Sequence, residues 1–153
     1  MAKETSAEIL LVEDNPDDTE LTLRAFKSCK LANRIQVARD GVQALDYLMG
    51  TGEFAGRDVQ DVPLLILLDL KLPKINGFGF LRRVKSNPLT RAIPVVILTT
   101  SREESDVAES YRLGVNSYIV KSVDFDQFAK VAKELGHYWL LVNEPPPKPA
   151  VGA

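Results

Sequence analysis

The chain has 153 residues, of which 45% are hydrophobic and 26% are charged, and its net charge is −2. That length is typical of one globular domain, and the charge excludes the dense basic surface of a nonspecific nucleic-acid binder. No apolar stretch approaches the ~20 residues that a membrane span needs. The single cysteine and the absence of a signal-peptide pattern lead us to expect a cytoplasmic protein that does not contact membranes.

The first part of the chain alternates between short apolar runs and amphipathic helical patterns. Residues 9–12 predict a strand, and the helix after them has Asn15 as its N-cap and Pro16 in the first helical position. A second strand is expected at residues 35–38. A second helix follows, and its apolar face would comprise Val42, Leu45, Leu48 and Met49.

The middle of the chain contains a surface loop and the most apolar strand. Residues 51–63 include two glycines, a proline and several charges, and they are interpreted as a loop. Residues 64–68 are apolar throughout, which is typical of a parallel strand covered by helices on both faces. A third helix is marked by Phe78, Leu81 and Val84.

Two further strand and helix pairs complete the pattern. Residues 94–98 predict the fourth strand, and Ser101 with Glu104 matches a capping box at the start of the fourth helix. Residues 118–120 predict the fifth strand. The last helix should keep its apolar spacing from Phe128 through Tyr138, Trp139 and Val142, before a proline-rich tail. This alternation predicts an α/β fold in which helices cover both faces of a parallel sheet.

Polar residues follow four of the predicted strands. Glu13 and Asp14 follow the first, Asp69 the third, Thr99 the fourth and Lys121 the fifth. Each alone is most simply a loop residue, a helix-start charge or a solvated lysine. Because the carboxyl ends of parallel strands meet at one edge, where open α/β sheets bind ligands, we expect the five side chains to converge.

This set of side chains suits one chemical task. Three neighbouring carboxylates repel one another, and a hard divalent cation such as Mg²⁺ relieves that repulsion. Asp69 could then attack phosphorus and form an aspartyl phosphate. Mg²⁺, the Lys121 ammonium and the Thr99 hydroxyl would stabilise the charge on the transferred oxygens.

From Ile9 to about Leu141 the chain resembles the CheY-like receiver domains of two-component response regulators. The resemblance rests on the order of the strand-end residues and on Leu72-Pro73 and Asn76-Gly77 in the loop after the third strand. It implies a flavodoxin-like (βα)5 sandwich with strand order 2-1-3-4-5, spanning residues 1–144, with a tail at 145–153. The implied roles are phosphoacceptor for Asp69, direct Mg²⁺ ligand for Asp14, water-mediated ligand for Glu13, carbonyl ligand for Lys71, phosphoryl partner for Lys121, and switch residues for Thr99 and Tyr118.

Finer features resemble the single-domain regulators of phytochrome-type histidine kinases. They are the insertion at residues 51–63, Ser122 after the lysine, and the aromatic end before the tail. Most receivers have proline at position 122; a cis bond before serine costs about 2.5–4 kcal/mol, so we expect a trans peptide. Lys71 and Ser101 occupy positions that influence phosphoryl lifetime in the family. A lysine at position 71 could screen the phosphoryl group from water or clamp it, and its plain interpretation is a solvated loop residue.

The resemblance implies a histidine kinase as partner and a signal carried by the fourth helix, fifth strand and last helix. Phe125, Tyr138 and Trp139 would form a partner or homodimer face there, unless they pack inward. No direct nucleic-acid contact is expected, and neither is turnover of an external substrate, because only self-phosphorylation and dephosphorylation are implied.

Three alternative functions fit the sequence less well. A pseudo-receiver would bind partners without phosphorylation, which the complete acceptor set disfavours. A haloacid-dehalogenase-type phosphatase needs a second aspartate where Lys71 stands. A dinucleotide-binding domain needs three spaced glycines, and Gly77-Phe78-Gly79 supplies two after the wrong strand.

Overall fold

The computed structural model describes residues 8–29, 34–121 and 124–149. Five parallel strands form one sheet in the order β2-β1-β3-β4-β5, which confirms the expected fold. The strands are β1 (Ile9–Val12), β2 (Ile35–Ala38), β3 (Leu65–Leu68), β4 (Val95–Thr99) and β5 (Ser117–Val120). The helices are α1 (Pro16–Cys29), α2 (Gly41–Met49), α3 (Gly77–Ser86), α4 (Glu104–Arg112) and α5 (Phe125–Gly136).

Two separate apolar cores lie on opposite faces of the sheet. Alternate residues of β3 serve the two cores: Ile66 and Leu68 face α2 and α3, while Leu65 and Leu67 face α1 and α5. All four β3 residues are fully buried, as the continuous apolar run predicted. No helix within the described ranges is long and apolar enough to cross a membrane.

The helices lie where the sequence predicted them, but one buried-face assignment and one helix cap were wrong. In α2 the buried side chains include Ala44, Tyr47 and Leu48, whereas Val42 is exposed, so its assignment to the core face was wrong. The capping box at Ser101 was also wrong. Helix α4 begins at Glu104 with Glu103 as its N-cap, because the Ser101 hydroxyl donates to Asp106 Oδ2 at 2.6 Å instead.

The last helix departs from its predicted course at Gly136. Helix α5 ends there, and His137–Val142 continue as a π-helical turn that is closed by a bond from Asn143 N to the Tyr138 carbonyl. The wider turn shifts the register of the side chains. Tyr138 and Val142 are therefore exposed, so the apolar helical spacing that was expected to continue through them ends at this turn.

The 51–63 loop is anchored to α2 by one arginine. Arg57 donates to the Tyr47 carbonyl at 2.6 Å and to the Leu48 carbonyl at 3.3 Å, and its guanidinium lies 4.3 Å from the centre of the Tyr47 ring. Phe54 packs edge-on against the same ring at 5.1 Å. The two hydrogen bonds from Arg57 satisfy carbonyls at the end of α2 that lack partners within the helix.

The loop between β3 and α3 fits closely against its surroundings. A Cβ on Gly77 would lie 2.6 Å from the Leu70 Cα, and one on Gly41 would lie 2.7 Å from the Ile75 carbonyl oxygen. Lys74 has a positive φ of 66° and pairs with Asp40 at 3.4 Å. These contacts fix the loop that follows Asp69.

Candidate metal and phosphoryl site

Backbone hydrogen bonds continue the sheet beyond its strands and position the polar residues at its edge. Glu13 N donates to the Ala38 carbonyl at 2.9 Å, and Asp69 N donates to the Val12 carbonyl at 3.0 Å. Lys121 N donates to the Thr99 carbonyl at 2.7 Å. The side chains that follow β1, β3 and β5 are therefore held in the register of the sheet.

The three expected carboxylates converge. Ligand oxygens of Glu13, Asp14 and Asp69 lie within 4.8 Å of one another, with Glu13 buried and Asp14 exposed. Oxygens around a Mg²⁺ ion are about 3–4 Å apart, so small side-chain adjustments or a bridging water would complete a coordination shell. An all-oxygen donor set that is open to water on one side fits Mg²⁺ or Mn²⁺.

The Lys121 ammonium contacts three carboxylates. Its ammonium contacts Glu13 Oε1, Asp18 Oδ2 at 3.0 Å and Asp69 Oδ2 at 3.2 Å. The Lys121 side chain is only 8% exposed. An ammonium has three protons, and each of them has a carboxylate partner here.

Burial and neighbouring charges have opposite effects on the pKa values of Glu13 and Lys121. Burial raises the pKa of Glu13 to about 7, despite the hydrogen bond from Lys121, which lowers it. Burial alone would lower the pKa of Lys121, but the hydrogen bond and charge of Glu13 and the charge of Asp69 raise it. Lys121 is therefore a permanent cation, while the crowded carboxylates favour an added positive charge.

Asp69 is held at both of its oxygens. Lys71 N donates to Oδ1 at 3.2 Å, and the Lys121 ammonium lies 3.2 Å from Oδ2. The Lys71 side chain is exposed at the rim of the site. The backbone of Lys71 thus lies beside Asp69, as a carbonyl ligand at that position requires.

The predicted switch residues form a separate chain of contacts. Thr99 is fully buried and its hydroxyl accepts a bond from Ser101 N at 3.4 Å. Tyr118 packs against the core of the α2 and α3 face, and its hydroxyl donates to the Ser101 carbonyl at 3.0 Å. The Ser101 hydroxyl is engaged by Asp106 rather than directed at Asp69.

The three aromatic residues proposed for an interface differ in their surroundings. Phe125 is half-buried, with the Arg24 guanidinium 6.0 Å from its ring centre. Trp139 is half-buried against the α1 and α5 core, and Tyr138 meets it edge-on while remaining 49% exposed. Ser122, and with it the expected trans peptide, lies outside the described residues.

Sequence reasoning missed Asp18 as a member of this site. Acidic residues are favoured in the first turn of any helix by the positive end of its dipole, so Asp18 carries no distinctive signal by itself. The available signal was the position of Asp18 in the first turn of a helix that starts directly after Glu13 and Asp14. A carboxylate on that turn is within reach of a cation at the same sheet edge.

Comparison with known proteins gives a consistent result. Residues 9–133 match the response regulator receiver domain family. The probable methanogenesis regulatory protein FilR2 of Methanothrix harundinacea is 43% identical over 138 residues, which cover 90% of this chain and 86% of FilR2. Response regulator Rcp1 of Synechocystis is 40% identical over 132 residues, covering 86% and 88% of the two chains.

Solved structures agree with the sequence matches. The phosphorylated cyanobacterial phytochrome response regulator RcpA superimposes with a TM-score of 0.84 at 39% identity, covering 94% of this chain and all of that one. The Mn²⁺-bound form of Rcp1 gives a TM-score of 0.82 at 38% identity, covering 92% and 99%.

Proposed function

Because this chain belongs to the response regulator receiver family, we propose that it accepts a phosphoryl group from a histidine kinase onto Asp69. The observation that carries the proposal is the placement of the Lys121 ammonium against Asp69, beside a cluster of three carboxylates. A nucleophile, its cation and a cation-binding oxygen set therefore share one sheet edge. This arrangement meets the electrostatic needs of phosphoryl transfer.

Glu13, Asp14, Asp69 and the Lys71 carbonyl would hold a divalent cation, with Glu13 acting through water. When bound, Mg²⁺ would supply positive charge that screens the carboxylates and neutralises charge on the phosphoryl oxygens. The Mn²⁺-bound form of Rcp1, a relative with this fold, supports the choice of a divalent ion. The exposed side of Asp14 gives water access to the remaining coordination positions.

In the transfer step an Asp69 carboxylate oxygen forms a bond to phosphorus. The bond from phosphorus to the kinase histidine nitrogen breaks, and the imidazole keeps that electron pair and leaves. Asp69 attacks in its ionised form, so it has no proton to lose. Lys71 N holds one carboxylate oxygen, and Lys121 offers its ammonium to the arriving phosphoryl oxygens.

We propose that Thr99 and Tyr118 transmit the new charge. The Thr99 hydroxyl would donate to a phosphoryl oxygen, which changes the backbone near Ser101, whose carbonyl holds the Tyr118 hydroxyl. The α4–β5–α5 surface then changes its shape for a partner or a second copy of the chain, with Phe125, Tyr138 and Trp139 as candidate contacts. Lys71, exposed at the rim, would slow the attack of water on the phosphoaspartate.

We propose a phytochrome-type histidine kinase as the phosphodonor. The likeness to RcpA and Rcp1 supports this choice, since RcpA is a cyanobacterial phytochrome response regulator. A pseudo-receiver that works without phosphorylation remains the alternative. It is disfavoured because the complete set of acceptor, cation and carboxylates would then have no task.

The test is incubation with acetyl phosphate and Mg²⁺, followed by intact-mass measurement. The wild type should gain one phosphoryl group, while Asp69→Asn and a chelator-treated wild type should gain none. Asp58→Asn, which changes a carboxylate in the 51–63 loop, is the matched control and should react like the wild type. An unmodified wild type, in an otherwise folded sample, would favour the pseudo-receiver.

Sedimentation of the unphosphorylated and phosphorylated protein tests the proposed homodimer. A monomer in both states would exclude it.

A further inference from the structure

Asp18 is the third carboxylate on Lys121, and it differs from the other two. Glu13 and Asp69 belong to the oxygen cluster that suits a divalent cation, whereas Asp18 lies outside that cluster. Its Oδ2 atom is 3.0 Å from the Lys121 ammonium. A cation bound by the cluster would weaken the hold of Glu13 and Asp69 on Lys121, while Asp18 would keep its full charge for the ammonium.

Two hydrogen bonds fix the backbone of Asp18, which keeps its side chain on the side of α1 that contacts Lys121. Asp18 N donates to the Asn15 side chain at 3.1 Å, and the buried Thr22 hydroxyl donates to the Asp18 carbonyl at 2.9 Å. The Asp18 side chain is 36% exposed, against 8% for Lys121. A fixed and partly hydrated carboxylate therefore holds a buried cation from the α1 side.

On the basis of the proposed phosphoryl transfer, we propose that Asp18 is a positioning residue that competes with the phosphoryl group for Lys121. Each Lys121 proton already has a carboxylate partner, so a phosphoryl oxygen must displace one of them. Asp18 also adds a negative charge beside the path of an anionic donor. It therefore slows phosphorylation and limits how firmly Lys121 binds the phosphoryl product.

Asp18 and the phosphoryl group compete for Lys121 during transfer to Asp69 and in the phosphorylated product. With acetyl phosphate, an Asp69 oxygen forms the bond to phosphorus, the bond from phosphorus to the acetyl oxygen breaks, and acetate leaves with the electron pair. Hydrolysis later transfers the phosphoryl group to water and restores the Asp69 carboxylate. Lys121 stabilises the phosphoryl oxygens as they arrive and then in the phosphoaspartate product. A carboxylate that holds the ammonium elsewhere therefore slows phosphorylation and shortens the lifetime of the product.

The experiment compares Asp18→Asn with Asp17→Asn. Both substitutions remove one negative charge from the first turn of α1, and both leave in place the backbone N–H groups that Asn15 caps. Among the described residues, Asp17 is exposed and is not one of the carboxylates on Lys121. Phosphorylation by acetyl phosphate and loss of the phosphoryl group after donor removal are both followed by intact mass.

Asp18→Asn should be phosphorylated about fivefold faster and should keep its phosphoryl group about fivefold longer, as expected for the loss of one partly exposed ion pair. Asp17→Asn should stay within about twofold of the wild type in both measurements. Mn²⁺ affinity by calorimetry should be the same for the two variants within about twofold, because neither aspartate is proposed as a ligand. Circular dichroism checks that both are folded.

Two results would overturn this role while leaving the proposed function intact. If Asp18→Asn behaves like Asp17→Asn, the contact with Lys121 has no kinetic effect. If Asp18→Asn is phosphorylated more slowly, Asp18 directs Lys121 toward the phosphoryl group instead of competing for it. A wild type that gains no phosphoryl group at all would instead remove the proposed function, and the role of Asp18 with it.

Discussion

The two nine-residue helices that flank the edges of the sheet, α2 beside β2 and α4 beside β5, are held very differently. Helix α2 buries four residues, including Tyr47 and Leu48, and Arg57 and Phe54 reinforce it from the adjoining loop. Helix α4 buries Ser110 alone among its nine residues. The two edge strands are themselves comparably half-buried, so the contrast lies in the helices.

This contrast separates a fixed side of the molecule from an adaptable one. A segment with few buried apolar contacts opens at low free-energy cost. Helix α4 is held near its start by the Ser101 hydroxyl on Asp106 and, through Ser101, by the Tyr118 hydroxyl. The side of the sheet that contains the proposed switch residues is therefore also the side with fewer contacts to break.

The largest expected effect comes from a matched pair of tyrosines, one on each helix. Tyr47→Ala in α2 should lower the free energy of unfolding by about 3–4 kcal/mol, because it empties a buried site that Phe54 and Arg57 pack against. Tyr111→Ala in α4 should change it by less than about 0.5 kcal/mol, since Tyr111 is 51% exposed. Urea unfolding measures both, and equal losses would contradict the proposed difference between the helices.

The elements themselves were predictable because their cause is local. The continuous apolar run at residues 64–68 predicted a strand buried on both faces, and Asn15 caps α1 as expected. The strand order came from family resemblance and not from the residues. The convergence of Glu13, Asp69 and Lys121 follows from parallel strands that end at one edge.

The missed features depend on contacts that capping and spacing patterns do not include. Asp106 takes the Ser101 hydroxyl, so a correct capping pattern starts no helix at that point. The burial of Tyr47 in place of Val42 reflects the 51–63 loop, which packs on one side of α2. The pairing of Asp18 with Lys121 joins residues 103 positions apart, and composition and spacing in one segment cannot reveal it.

A smaller effect is expected from the bond that joins β5 to the start of α4. Tyr118→Phe removes the hydroxyl that donates to the Ser101 carbonyl at 3.0 Å, and its loss should cost about 1 kcal/mol. The cost should be local. Hydrogen exchange should accelerate in α4 and remain unchanged in α2, as measured by mass spectrometry on peptides from the two helices. Equal acceleration in both would mean that the two edges open together.

The smallest effect concerns the helix caps, which also differ between the two edges. The Asp40 side chain accepts a bond from Gln43 N at the start of α2, whereas Glu103 provides no side-chain cap to α4. That bond, together with Lys74, holds the pKa of Asp40 below its usual range. Asp40→Asn keeps an acceptor oxygen but removes the charge, so it should cost only about 0.5 kcal/mol at pH 7 and low salt.

The pH dependence of that cost has a definite sign. Because the folded pKa of Asp40 is lowered, its charge stabilises the protein fully above the unfolded pKa, near 3.9. The contribution is lost as the pH falls through the lower, folded value. Urea unfolding of the wild type and Asp40→Asn should therefore differ at pH 7, and the difference should disappear once the pH has fallen below the folded pKa of Asp40. A difference that persists unchanged in acid would assign the effect to the shape of the cap and not to its charge.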